Sequence, residues 1–372
     1  MKLVVFGLSI SSAWGNGHAT LWRGLCNALV DRGHRVVFFE RDVPYYAEHR
    51  DLKSLPGVEI CLYSDWAEVL PLARRHLRDA EVGMVTSYCP DGRDASTLVL
   101  NSAAPMRVFY DLDTPVTLSR LREGQPVEYI GHRGLADFDL VLSYTGGPAL
   151  TEIQRVLGAR RVAPLYGSVD PRVHHPAPPC ASYRTHASYL GTYADDRQPA
   201  LETLMIEPAR RLPETTFLIG GSLYPADFPW APNIRFVRHV PPSRHPAFYC
   251  SSKLTVNVTR SAMASMGYCP SGRLFEAAAC GVPILTDWWG GLDLFYEPDL
   301  EIIVAHTTEH AVEALSLSDA ELKRVAQAAR ERTLSCHTSR HRALELEALL
   351  EPWQPASPGL LADATGVPSG GQ

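Results

Sequence analysis

Apolar and polar positions alternate along the chain in one recurring rhythm. A continuous apolar run at 2–8 leads into a polar, glycine-containing loop at 11–17, and residues 18–31 then carry Leu21, Leu25, Ala28 and Leu29 at helical spacing until Gly33 stops the helix. Residues 35–40 form the next apolar run. Strand, loop, helix, strand is a parallel βαβ unit with a right-handed crossover. The alternation continues through candidate strands at 58–62, 82–86, 107–110 and 139–143, with helical stretches near 66–78 and 147–157. Prolines and polar residues break the pattern over 164–179. It restarts with 186–190, a helix at 198–211, then 215–219, 234–237, 254–258, 282–286 and 302–304, and closes with charged-faced helices at 318–332 and 341–350.

This rhythm predicts an α/β protein made of two tandem Rossmann-like domains that face a central cleft. The first spans 1–170, a linker 171–182, and the second 183–335; a helix over 336–353 crosses back toward the first domain, and 354–372, rich in Pro, Gly and Ser, is expected to be disordered. Open parallel sheets bind ligands at the carboxyl ends of their strands, so the polar clusters at those ends are where chemistry is expected.

A length of 372 residues suits two such domains. The net charge of -6 gives no general reason to expect nucleic acid or an anionic membrane as a partner. Eight cysteines scattered without a Cys-x-x-Cys pair read as reduced thiols of a cytoplasmic protein. The opening apolar run is too brief for a signal peptide, and no run approaches the ~20 residues that span a bilayer.

Gly15, Asn16, Gly17 and His18 join the first strand to the first helix. The third glycine of a dinucleotide loop is missing, and Glu40-Arg41-Asp42 offers no isolated acid for a ribose. His18 at the mouth of this loop is a candidate proton acceptor or phosphate contact, or else a helix N-terminal histidine satisfied by backbone. Asp111 and Asp113 stand at a strand end; Asp111 is expected to face the cleft, and Asp113 is an acceptor-side or cleft candidate or else the cap of the helix that begins at Thr114-Pro115. Tyr45 and Trp14 are aromatic candidates for an acceptor pocket or a domain edge.

The densest signal runs from Pro270 to Asp287: a helix opened by Gly272, with Arg273 and Glu276 near its start, followed by a buried strand. A helix N-terminus with an arginine suits a phosphate, and a glutamate there can accept from sugar hydroxyls. Arg197 and Arg260 stand at neighbouring strand ends, and the three cations suit a diphosphate. His174-His175 read as a solvated linker face, because no third ligand is spaced to join them. Asp111-Leu112-Asp113 has the letters of a metal motif but lies in the first domain, so no metal and no cofactor are expected.

Taken together, the two tandem halves, the glycine loop ending in His18, Tyr189-Leu190-Gly191-Thr192-Tyr193-Ala194-Asp195-Asp196-Arg197, Asn257-Val258-Thr259-Arg260 and the Pro270 to Asp287 run resemble nucleotide-sugar glycosyltransferases of the GT-B fold. More narrowly the chain is similar to the group-1-type, CgeB-like (spore-maturation) glycosyltransferases, over residues 1 to about 350. The resemblance implies that Glu276 contacts the nucleotide ribose and that Arg197, Arg260, Arg273 and the backbone near Gly272 hold the diphosphate. It implies transfer of a sugar from a nucleotide-diphosphate donor to a hydroxyl or other nucleophile of a small-molecule or glycan acceptor. A nucleotide-sugar epimerase and a non-catalytic nucleotide- or carbohydrate-binding protein are the alternatives. One departure matters: many retaining enzymes of this group carry a second glutamate eight positions before the ribose glutamate, and here that position is Tyr268. An inverting reaction needs a base, His18 or Asp111; a retaining one leaves His18 to position phosphate or acceptor. Both stay open on the sequence.

Overall fold

Thirteen strands carry the fold among the described residues, and the central ones, such as Lys2–Gly7, Val82–Thr86 and Phe217–Gly221, are apolar runs buried on both faces, as parallel sheets favour. In chain order they are β1 (Lys2–Gly7), β2 (Arg35–Arg41), β3 (Val58–Tyr63), β4 (Val82–Thr86), β5 (Met106–Asp111), β6 (Leu140–Ser143), β7 (Val162–Pro164), β8 (Thr185–Leu190), β9 (Phe217–Gly221), β10 (Ile234–Arg238), β11 (Ser252–Asn257), β12 (Ile284–Thr286) and β13 (Ile303–Val304). They form a seven-stranded sheet in the order β3-β2-β1-β4-β5-β6-β7 and a six-stranded sheet in the order β10-β9-β8-β11-β12-β13. Every pairing within them is parallel. The strand order reverses between β1 and β4 and again between β8 and β11, which creates a crevice at the carboxyl edge of each sheet. This computed structural model describes residues 1–351; positions 352 and 353 of the expected last helix and the tail at 354–372 lie outside the described residues.

Helices cover both faces of each sheet. On one face of the first sheet Trp22, Leu25, Phe38 and Tyr110 share a core, and on the other Phe6, Phe39, Phe109 and Phe138 do. The edge strand β7 is absent from the sequence pattern because it has three residues and ends in a proline, which only an edge tolerates. The helix expected over 198–211 is present but irregular. It runs as α-helix Gln198–Leu201, a π-helical turn Glu202–Ile206 and α-helix Glu207–Arg211. Pro208 lies just past that turn and cannot donate into an α-helical ladder. Among the described residues no helix is long and apolar enough to cross a membrane.

The chain crosses back at its end. Helix Ser339–Leu350 places Ala343, Leu346 and Leu350 in the first sheet's core, and Glu347 pairs with Arg32 and His34. The crossing point is held by backbone bonds from Val169 N–H to His337 O at 3.1 Å and from Ser339 N–H to Val169 O at 2.8 Å. His337 is buried there, its Nε2 donating to Phe295 O at 3.2 Å while its Nδ1 accepts from Arg342 at 3.0 Å.

One buried acid shapes the first glycine loop. Glu40, with no exposed surface, ends β2 facing the segment after β1. Its Oε2 accepts from the Ile10 and Ser11 amides at 2.8 and 2.9 Å, and its Oε1 from the Ser9 and Ser11 hydroxyls at 2.9 and 2.6 Å. The acid that offered no isolated ribose contact in sequence therefore has a structural task. Its charge is offset by four donors, and it sets the path of the chain toward Asn16 and His18.

Two predictions follow from these contacts. Glu40→Leu leaves two buried amides without an acceptor, each worth about 1–3 kcal/mol, so the urea midpoint should fall with an unchanged m-value. For His337, burial and then the charge of Arg342 lower the pKa from 6.5 to about 4. The unfolded chain therefore takes up a proton that the folded chain refuses, and this stability is complete above pH 6.5 and lost as pH falls toward 4. Urea midpoints at pH 7 and pH 5 should differ less in His337→Gln than in the unaltered protein.

Candidate active site

The carboxyl edges of the two sheets enclose a cleft of about 530 Å3. Its first wall carries Gly15, Asn16, Gly17, His18, Tyr88 and Asp113, and its second Arg197, Arg260, Gly272, Arg273 and Glu276. Sequence reasoning placed all of these except Tyr88 near a ligand, and the fold brings them to one space.

On the second wall the three guanidiniums converge. Arg273 spans the crevice between β8 and β11: Nη1 donates to Leu190 O and Nη2 to Val258 O, both at 2.9 Å, and Nε donates to Ser271 Oγ at 3.1 Å. Its guanidinium also lies over the Tyr189 ring, 5.1 Å from the centroid. Arg197 Nη1 donates to Thr192 O at 2.7 Å, while its buried Nε has no partner among the described residues. Arg260 is paired with Asp196 at 3.0 Å. Burial, and the nearby charges of Arg273 and Arg260, push the Arg197 pKa down. Among the described residues, one carboxylate in ion-pair range serves these three cations. An anion entering the cleft relieves that excess. Helix Gly272–Ala279 points its N-terminus at the same place, and Ser271 makes no side-chain capping bond there.

Glu276, one turn into that helix, is buried at 8 % exposure and meets several partners. Thr20 of the first wall donates to its Oε1 at 3.4 Å, and Tyr249 donates to its Oε2 at 3.3 Å. Burial opposes its charge, but His174, His245, Tyr249 and Arg273 outweigh that and hold its pKa below the ordinary value. The expectation that no third ligand joins His174 is corrected here. His174 Nε2 lies 3.5 Å from His245 Nδ1 and 3.9 Å from Glu276 Oε1, because the fold returns two distant segments to the linker. His175 stays exposed.

On the first wall Asn16 caps helix Gly17–Asp31 by accepting from the His18 amide at 3.0 Å. His18 Nε2 lies 3.9 Å from Asp113 Oδ2, and burial lowers its pKa although Asp113 acts to raise it. At neutral pH the imidazole is therefore uncharged and able to accept a proton. Of the two aspartates expected near the cleft, only Asp113 lines it. Asp111 is fully buried beneath the cleft, accepting from the Asp113 amide at 3.2 Å and from Thr117 Oγ1 at 3.1 Å, and burial raises its pKa to about 6. β5 ends at Asp111, whose side chain is buried, and the chain turns beyond it, so that Asp113, at the cap of the next helix, lines the cleft. Asp113 does occupy the cap position of helix Thr114–Arg122, yet its side chain makes no capping bond.

Tyr45 is 45 % exposed and does not line the cleft, although its hydroxyl lies against Gly15; Tyr46 lines it instead. Trp14 packs against His49 and His239, with centroids 3.9 and 4.4 Å away, at the domain edge. Tyr88 was not singled out in sequence. It follows β4 at the first switch point, with φ of 62°, its ring 6.0 Å from His18, and burial and then Asp113 push its phenol pKa upward. An aromatic residue held in left-handed backbone is costly, and such strain clusters at functional sites.

Tyr268, at the position of the absent glutamate, points out of the cleft. Its ring is wedged between Gly147 of the first half and Gly291 of the second, where an added Cβ would lie 2.3 and 2.6 Å from it. Backbone bonds from Gly146 N–H to Tyr268 O at 3.0 Å and from Tyr268 N–H to Gly290 O at 2.7 Å fix this junction.

Arg273→Lys tests how much of the second wall depends on a fork of donors. A lysine reaches one carbonyl where the guanidinium holds two and a hydroxyl, so unfolding free energy should fall by about 2–3 kcal/mol in urea titration.

Comparison with known proteins follows from this geometry. Residues 197–348 match the family model described as glycosyl transferase-like, whereas no curated protein matches the chain in sequence. A sucrose-phosphate synthase from Thermosynechococcus elongatus superposes with a TM-score of 0.67 at 14% identity, over 94% of this chain and 98% of that one. HepE of Anabaena in complex with UDP and glucose gives 0.65 at 13% identity, over 94% and 99%. An alpha-glucosyltransferase in complex with UDP and a 13-mer DNA gives 0.67 at 14% identity, over 94% and 99%. The chain has the GT-B fold of these glycosyltransferases, and its residues 197–348 match the glycosyl transferase-like model.

Proposed function

We propose that the protein transfers a sugar from a nucleotide-diphosphate sugar to a hydroxyl of a small-molecule or glycan acceptor, as a group-1, CgeB-like glycosyltransferase. The observation that carries this reading is the set of three guanidiniums around one helix N-terminus, with one carboxylate partner among the described residues. A diphosphate matches that excess of charge, and Glu276 can accept from the ribose hydroxyls beside it. UDP and UDP-glucose occupy related folds at low identity, which makes uridine diphosphate sugars the first donors to test.

In this reading the uncharged His18 takes the proton of the acceptor hydroxyl on Nε2, the nitrogen nearer Asp113, as the hydroxyl oxygen attacks the anomeric carbon. The bond from that carbon to the diphosphate breaks, and the nucleoside diphosphate leaves with its charge met by Arg197, Arg260 and Arg273. Tyr88 lies beside His18, with ring centroids 6.0 Å apart. With Tyr268 turned away, no glutamate reaches the sugar from that position.

A thermal-shift screen with UDP-, dTDP-, GDP- and ADP-sugars should give a stabilised melting point for at least one donor, and no shift with any of them would overturn the donor assignment. With that donor, His18→Gln should lower kcat about 100-fold or more while leaving donor affinity unchanged. The rate of the unaltered enzyme should fall as pH drops below 6.5, through the lowered pKa of His18. NMR of the product reports the anomer: inversion accords with His18 as base, and retention would confine it to positioning.

A further inference from the structure

We propose that His174, His245 and Glu276 form a site for one divalent transition-metal ion, best matched by Zn2+, at the seam between the linker and the second wall of the cleft. The three side chains come from the linker, from the start of helix His245–Cys250 and from helix Gly272–Ala279. His174 and His245 are 71 residues apart in the chain, which is why spacing along the sequence did not reveal them.

The distances are those of an unfilled ligand cage. His174 Nε2 and His245 Nδ1 are 3.5 Å apart, His174 Nε2 and Glu276 Oε1 3.9 Å, and His245 Nδ1 and Glu276 Oε2 3.7 Å. Ligands bound tetrahedrally at about 2.0–2.1 Å lie about 3.3–3.4 Å from one another, so a contraction of a few tenths of an ångström closes the set. Two imidazoles and one carboxylate suit Zn2+, whereas Ca2+ and Mg2+ call for oxygen ligands.

Outer contacts orient these groups toward a common point. His245 donates from Nε2 to Val240 O at 3.0 Å, which leaves the Nδ1 lone pair facing His174 and Glu276. Tyr249 donates to Glu276 Oε2 at 3.3 Å. A backbone carbonyl behind a ligating histidine and a donor behind a ligating carboxylate are the partners that metal sites use to set tautomer and orientation. His245 and Glu276 also line the cleft and His174 does not, so the open side of the ligand set is toward the cleft. A carboxylate has lone pairs for both an ion and a hydroxyl, and Glu276 need not give up a ribose contact to hold the metal. The competing account is a metal-free relay in which one imidazole donates to the other.

The test uses the full chain without an affinity tag, stripped with a chelator and titrated with Zn2+ against a chromophoric competitor and with Co2+ alone. One equivalent should bind, with a tetrahedral Co2+ spectrum in the visible, and Zn2+ should raise the melting temperature. His174→Asn and His245→Gln, checked for native circular dichroism, should each weaken binding about 100-fold or more. No stoichiometric binding by the unaltered chain overturns the proposal. So does binding that survives both substitutions, or Co2+ held with a sulfur-to-metal band in the near ultraviolet, as at the separate Glu59, Cys61 and His76 cluster. These readouts need neither donor nor acceptor, so failure of the metal site and failure of the transferase reading are told apart.

Discussion

A parallel sheet leaves the carbonyls at its carboxyl edge without partners in the ladder, and at a switch point the two central strands send their loops apart. In the second sheet that gap is closed by a single side chain. Arg273 takes the carbonyls of Leu190 and Val258, one from each side of the reversal, and so fixes the mouth of the crevice between β8 and β11. The loops that carry Arg197 and Arg260 leave from those same strand ends. Their convergence thus depends on a guanidinium whose planar fork supplies several donors in fixed directions, which an ammonium cannot do. The residue proposed to meet the donor's diphosphate is in this way also the one that holds the local architecture.

The first sheet solves the matching problem with the opposite charge. Glu40 at the end of β2 gathers the amides and hydroxyls of Ser9, Ile10 and Ser11, and the loop continues to Asn16, whose side chain caps the helix that bears His18. Between the two walls, Thr20 reaches Glu276 and the last helix returns to the first core. The cleft is therefore framed by polar groups that are themselves held by buried bonds.

Periodicity made the fold legible because a parallel sheet writes itself as unbroken apolar runs and amphipathic helices. The strands from β1 to β6 and from β8 to β13 could be placed for that reason, while β7, short and proline-ended, could not. Residues whose role follows from a helix N-terminus or a strand end, such as His18, Arg197, Arg260, Arg273 and Glu276, were also visible. What failed were assignments that depend on a single residue's facing or on tertiary return. Asp111 closes β5 with its side chain buried, while Asp113 lies past the strand end where the chain turns into the next helix. Tyr45 and Tyr46 differ by their orientation on a short helix. Tyr88 has no local signature beyond following a strand, and its importance appears only once β4 is known to neighbour β1. His174 looked solvated because its partners lie in distant segments.

The wedge made by Tyr268 has a mechanical meaning. A ring seated between two glycines, with backbone bonds running from it to both halves, resists sliding far more than it resists tilting. Any change in the angle between the sheets is then a rocking motion about this bearing, widest at the far rim of the cleft and smallest beside Tyr268. Tyr268 is then the fulcrum on which the cleft opens.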